Sequence, residues 1–194
     1  MCRIILRGDK LKKQPEITDQ TRQALVDAFC ELYAYKSIEK ISIREITSVA
    51  GYHRSTFYEY FQDIYDLLKY LEDDLLNSIK INLSNTNITK REQADMKKLL
   101  WLFGTKEKYL SVLLGMYGSF HFIERMKQEL CISEERLPTA TSSKFTPYLN
   151  EYHLTVSISL FQLWLKRNKD ISLDELSALI HTLYTNGITA IILE

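Results

Sequence analysis

Proline and glycine are scarce in this chain, with three Pro and six Gly among 194 residues. So few breakers cannot punctuate a many-stranded sheet, and the long periodic runs between them point to an all-α fold. Long apolar runs are missing too. None approaches the roughly 20 residues that span a bilayer. The N-terminus has no signal-peptide core, because Ile4, Ile5 and Leu6 give way to Arg7, Asp9 and Lys10. A cytoplasmic location and no membrane partner are expected. Cysteine is sparse, and Cys2, Cys30 and Cys131 show neither zinc-ligand nor redox spacing, so reduced thiols are expected. No P-loop or dinucleotide fingerprint occurs. His121, His153 and His181 stand far apart, each on a periodic helix. No catalytic constellation, cofactor or metal is expected.

A charge excess is also lacking, since 25 Lys+Arg balance 25 Asp+Glu. That excludes a uniformly basic nucleic-acid binder. The balance is uneven, however. Arg3, Arg7, Lys10, Lys12 and Lys13 face only Asp9 in residues 1–13, a local charge of +4. Such an arm can contact phosphates or simply remain solvated.

What is present centres on residues 42–61. Ser42 and Glu45 have the spacing of a capping box. Ile43, Ile46, Val49 and Ala50 recur at helical spacing as one buried face. Gly51 follows where a helix needs a left-handed residue to turn. A second helix starts near His53 and Arg54 and carries Ser55, Thr56, Phe57, Tyr58, Tyr60 and Phe61. Helix, tight turn, donor-rich helix is the pattern of a helix-turn-helix, whose second helix enters the major groove. A preceding helix, beginning at Thr18 or Asp19 and ending around Lys36, offers Ala24, Leu25, Ala28, Phe29 and Leu32 to cover the pair.

Residues 21–68 together resemble the N-terminal domain of the TetR family of transcriptional regulators. The resemblance rests on Ala28-Phe29, on Ser42-Ile43-Arg44-Glu45-Ile46, on Ala50-Gly51 and on Thr56-Phe57-Tyr58 followed by Tyr60-Phe61. It implies a basic arm over residues 1–17, a three-helix helix-turn-helix DNA-binding domain over 18–62, and a helical ligand-sensing and dimerisation domain over 63–194. It also implies a homodimer on double-stranded DNA, a repressor released by a small-molecule effector.

The rest of the chain reads as helices. Asp63 opens a long one with Ile64, Leu67, Leu68, Leu71, Leu75 and Ile79 on one face. Met96, Leu99, Leu100 and Phe103 mark another, ended by Gly104. Tyr109, Val112, Leu113 and Met116 mark a third, and Phe120, Ile123 and Met126 a fourth. After Pro147 one helix carries two apolar stripes. Leu149, Tyr152, His153, Val156, Leu160, Leu163 and Trp164 form the first; Leu154, Ile158, Phe161 and Leu165 form the second. A helix apolar on two sides needs two partners. The last helix opens with a capping box at Ser172 and Glu175 and holds Gly187, which permits close approach of another backbone. Residues 164–176, Trp164 to Leu176, resemble one TetR subgroup. The implied dimer interface includes Val156, Leu160, Leu163, Leu183 and Gly187. Trp101, Tyr109, Met116, Tyr117, Phe120 and Phe161 are candidates for an effector pocket or for plain core.

Base readout falls to His53, Arg54 and Ser55 at the start of the second helix. Arg54 suits a bidentate guanine contact or a phosphate clamp. Thr56, Tyr58 and Tyr60 suit phosphate anchoring, with Ser42 and Arg44 as further backbone contacts. Phe57 and Phe61 read as packing. Many relatives place a lysine just after this run, whereas Gln62, Asp63 and Ile64 supply no cation here, and Glu59 must point away from phosphate. A DNA-binding regulator controlled by a protein partner remains an alternative, as does a helical enzyme or scaffold that has lost DNA binding. Deleting residues 1–13 is expected to lower DNA affinity and flatten its dependence on salt, at about 0.9 in log–log slope per lost phosphate contact. An unchanged slope in a salt titration would count against the arm.

Overall fold

The computed structural model describes residues 15–84, 105–130 and 143–186. The described residues form helices α1 (Pro15–Tyr33), α2 (Ile43–Ala50), α3 (Arg54–Tyr58), α4 (Ile64–Ser84), α5 (105–113), α6 (Phe120–Leu130), α7 (Thr146–Lys166) and α8 (Leu173–Thr185), with no strand among them. Residues 1–14 of the expected arm, the helix expected around Met96–Phe103, Trp101 and Gly187 lie outside the described residues, and residues 15–17, expected in the arm, begin α1 instead.

α1 starts three residues before the expected Thr18. Proline suits a first helical turn, where its missing amide would have no partner anyway. The helix ends at Tyr33, short of Lys36, because the amides of Tyr35 and Lys36 both bond back to the Leu32 carbonyl at 3.2 Å. Leu25, Phe29 and Cys30 are fully buried on its inner face, and the Phe29 and Tyr33 rings stack at 5.1 Å. Burial pushes the Cys30 thiol up to about 12, which makes it an inert packing residue.

The inner face of α2 differs from the expected one. Ile46 is fully buried and Ile43 and Ala50 are half-buried, but Val49 is 48% exposed. Thr47 is buried in its place. A threonine is tolerated there because its hydroxyl donates to the Ile43 carbonyl at 2.9 Å. α3 is shorter than its pattern. After Tyr58 the chain tightens, with the Glu59 amide on Thr56 and the Tyr60 and Phe61 amides on Phe57. That turn folds Phe61 back onto Phe57, ring centroids 5.7 Å apart, and both rings are buried.

α4 begins at Ile64, and Asp63 caps it. The Asp63 carboxylate accepts the Asp66 amide at 2.8 Å, and Asp66 accepts the Gln62 amide at 2.9 Å. Leu67, Leu71, Leu75, Leu76 and Ile79 carry the core of the head into the body, where Leu110, Leu113, Phe122 and Met126 meet it. On α6 the aromatic that enters the core is Phe122; Phe120, expected on that face, is 75% exposed. α7 buries Leu154, Ile158, Phe161 and Trp164. Trp164 therefore belongs with the second stripe, and its indole N–H donates to the Ile171 carbonyl at 2.7 Å. Leu149, Tyr152 and Leu163 of the first stripe are exposed.

One ionic cluster lies under this core. Glu72 on α4 is 5% exposed, and burial pushes its carboxyl upward. Arg125 on α6 opposes that shift. Its guanidinium lies 3.1 Å from Glu72 and also contacts Asp73. Removing one partner of such a pair leaves the other charge stranded. Arg125→Met is expected to destabilise the fold by about 2 kcal/mol, seen as a lower urea midpoint at unchanged slope.

Candidate nucleic-acid interface

The reading element is held by caps at both ends of α2. Ser42 has an extended backbone (φ −112°, ψ 150°) and caps α2. Its hydroxyl accepts the Glu45 amide at 3.3 Å and donates to the Glu45 carboxylate, which also takes the Ser42 amide at 2.9 Å. Lys36 adds an ion pair to the same carboxylate at 2.5 Å. At the other end Gly51 has φ +75°, a left-handed backbone that side chains resist, and its amide bonds to Thr47. The Tyr52 amide follows to the same carbonyl at 2.9 Å. α3 then departs in a new direction from His53.

His53 occupies the N-cap of α3 without a side-chain cap bond, so its imidazole is not committed to the helix. His53, Arg54, Ser55 and Tyr58 are exposed, while Phe57 beneath them is fully buried. Thr56 and Tyr60 are half-buried. Tyr60 has a packing role as well, since the Arg22 guanidinium stands 5.7 Å from both the Tyr60 and Tyr70 ring centres. Arg44 is exposed on α2. Ser42 is exposed too, but its hydroxyl is occupied by Glu45, which leaves Arg44 as the stronger phosphate candidate on this helix. Sequence pattern does not single out Tyr52, 37% exposed in the turn, or Tyr65, 58% exposed at the start of α4. Both add phenol donors to the candidate set. Glu59 is exposed at the C-cap of α3.

In the body, the pocket candidates do not converge. Phe161 is buried in the core, and Met116 and Phe120 are 91% and 75% exposed. The Tyr109 hydroxyl donates to Asp27 of α1 at 3.0 Å and accepts from Gln23, so this ring joins head to body. Tyr117 is half-buried against the core, and its carbonyl accepts the Tyr33 hydroxyl at 2.6 Å. Of the interface candidates, Leu163 is 49% exposed, and Val156, Leu160 and Leu183 are half-buried. Among the described residues no cluster of three or more His, Cys, Asp or Glu could hold a metal. None of their helices is long and apolar enough to cross a membrane.

No family model and no curated protein matches the chain. Solved structures do. A TetR transcriptional regulator from Streptococcus agalactiae 2603V is 20% identical, with a TM-score of 0.62 over 87% of this chain and 96% of that one. The fatty acid degradation regulator FadR from Bacillus halodurans is 15% identical, with a TM-score of 0.66 over 91% and 98%. The dihydroxyacetone kinase operon activator DhaS is 21% identical, with a TM-score of 0.61 over 88% and 97%. The fold of this chain is the TetR-type regulator fold: a helix-turn-helix head on a helical body.

The α2 cap carries a pH signature. The hydrogen bond from Lys36, then those from Ser42, pull the Glu45 carboxyl from 4.5 down to about 2. A depressed carboxyl contributes stability that is complete above its unfolded value and fades as pH falls through its folded one. Glu45→Gln is therefore expected to shrink the loss of stability between pH 4.5 and about 2. Urea unfolding as a function of pH would check this.

Proposed function

We propose that this chain is a sequence-specific DNA-binding transcription regulator acting as a homodimer. The observation that carries the reading is His53, Arg54 and Ser55, exposed together at the start of an α3 whose Phe57 is locked in the core. A rigid helix presenting its first residues to solvent is what major-groove readout requires. Arg54 is assigned the base or phosphate contact at the centre. Arg44, Thr56, Tyr58 and Tyr60 are assigned the flanking phosphates, with help from the arm. The mate is assigned to the outward face of α7, where exposed Leu149, Tyr152 and Leu163 need cover, together with Leu183 of α8. Two heads then meet a pseudo-palindromic operator, and an effector favouring mis-spaced heads releases a repressor. The names of the solved neighbours support control of transcription in either sense, since DhaS is described as an activator. A FadR from Bacillus subtilis was solved with stearoyl-CoA, which supports a small-molecule effector as the general mode.

A protein partner is the second reading. It is favoured by the interior, where Phe161 is core, Tyr117 packs against the core, Met116 and Phe120 face the surface and Tyr109 bonds the head.

The test is a mobility shift with genomic fragments. Arg54→Ala is expected to cost about 1–3 kcal/mol of affinity, whereas Arg44→Ala should weaken all sequences alike and lower the salt slope by about 1. No salt-sensitive binding to any fragment would end the regulator reading.

A further inference from the structure

A half-open cleft of about 970 Å³ lies between the end of α5 with its following turn and the end of α7. Its chemistry is mixed in an ordered way. Leu114 and Met116 on one wall and Leu165 on the other are apolar, and Met116 is 91% exposed. Lys166 and Lys169 stand at the other wall. Glu107 pairs with Lys169, so the two lysines and one glutamate leave one positive charge. Three carbonyls near the end of α7 are already occupied. Those of Leu163, Trp164 and Leu165 are taken by the amides of Arg167, Lys169 and Asn168, through a left-handed backbone at Asn168 (φ 55°) and Lys169 (φ 59°). That turn also holds the Lys169 ammonium 5.7 Å from the Trp164 ring centre. Ser111 completes the lining. Its hydroxyl is buried and has no hydrogen-bond partner among the described residues.

The cleft is tied to the head. Gln162 on one wall donates to the Leu114 carbonyl on the other at 3.2 Å. Met116 adjoins Tyr117, whose carbonyl holds the Tyr33 hydroxyl of α1 at 2.6 Å. The turn between them is tight. A Cβ at Gly118 would lie 2.0 Å from the Leu113 carbonyl oxygen, so the backbone after Tyr117 packs too closely on α5 for a side chain there.

We propose that this cleft is an effector site for a small anionic amphiphile, one carboxylate on a short apolar body, and that occupancy reaches the DNA-reading head through Tyr117 and Tyr33. The carboxylate sits with Lys166 and Lys169, and the apolar body lies on Leu114, Met116 and Leu165. The coupling half of this rests on the regulator reading above; the binding half does not.

The test uses the full chain with octanoate and 1-octanol as paired probes in titration calorimetry. Octanoate is expected to bind about tenfold more tightly than octanol, the scale of a charge-assisted hydrogen bond. Lys166→Met, and the double variant Lys166→Met with Lys169→Met, should erase that preference. Equal binding of the two probes, or a preference that survives both lysine variants, overturns the site. For coupling, octanoate should alter DNA affinity in the wild type but not in Tyr33→Phe, which keeps the ring and should still bind octanoate. If Tyr33→Phe responds like wild type, the route is wrong. Octanoate preference without any DNA binding leaves the site standing and removes the regulator reading. DNA binding without octanoate preference does the reverse.

Discussion

Helices of eight and five residues do not persist in water on their own, because nucleation costs more than so few hydrogen bonds return. The whole helix-turn-helix head therefore depends on one constraint, the burial of Ile46, Phe57 and Phe61 against Leu25 and Phe29 of α1. Once those rings are fixed, the direction of α3 is fixed, and with it the outward set His53, Arg54 and Ser55. The caps act on top of this burial. Ser42, Glu45 and Gly51 decide where α2 starts and stops, and the aromatic contacts decide where α3 points.

The same α1 is also the head's grip on the body. Its inner surface faces α2, while Gln23, Asp27 and Tyr33 reach Tyr109, Lys108 and the Tyr117 carbonyl. Burial pushes the Tyr33 phenol up to about 12, so it stays a neutral donor across physiological pH. α4 makes a second link, continuous in backbone and core, with Arg125 holding Glu72 and Asp73 from α6. Two links give the head a defined pose relative to the body. A body that has two discrete packings can then pass either pose on, since packed cores switch rather than bend.

The head was legible in the sequence because its signals are local. A capping box, a glycine turn and an Ala-Phe pair need no tertiary knowledge, and Ser42, Gly51 and Phe29 stand where their pattern places them. Errors came where periodicity alone cannot choose between adjacent residues. Val49 and Thr47 are both one turn from their neighbours, and only a threonine hydroxyl bonded to Ile43 reveals which is buried. Phe120 and Phe122 differ by two positions on one helix, and only the packing of α6 on the core shows that Phe122 goes inward and Phe120 stays exposed. Trp164 fits either stripe of α7 until its indole N–H finds Ile171. The cleft was not legible at all. Its lining joins residues some 50 positions apart, and its orphan donor at Ser111 is an ordinary serine in the sequence.

The electrostatics of the head separate affinity from specificity. The start of α4 carries Asp63 and Asp66, and both are consumed by capping, which fixes negative charge there instead of a phosphate-seeking lysine. Lys36 is consumed by Glu45. Arg22 stands over two tyrosine rings. The exposed cations that remain on the α2–α3 segment are Arg44 and Arg54. On the regulator reading proposed above, so little fixed charge would make nonspecific attraction to any duplex weak at physiological salt. On that reading hydrogen bonding by His53, Arg54, Ser55 and the tyrosines would supply a larger share of the binding free energy, and that share would vary with the base sequence. A DNA-binding head built this way would discriminate well and hold poorly, and the proposed arm and second head would supply the missing affinity.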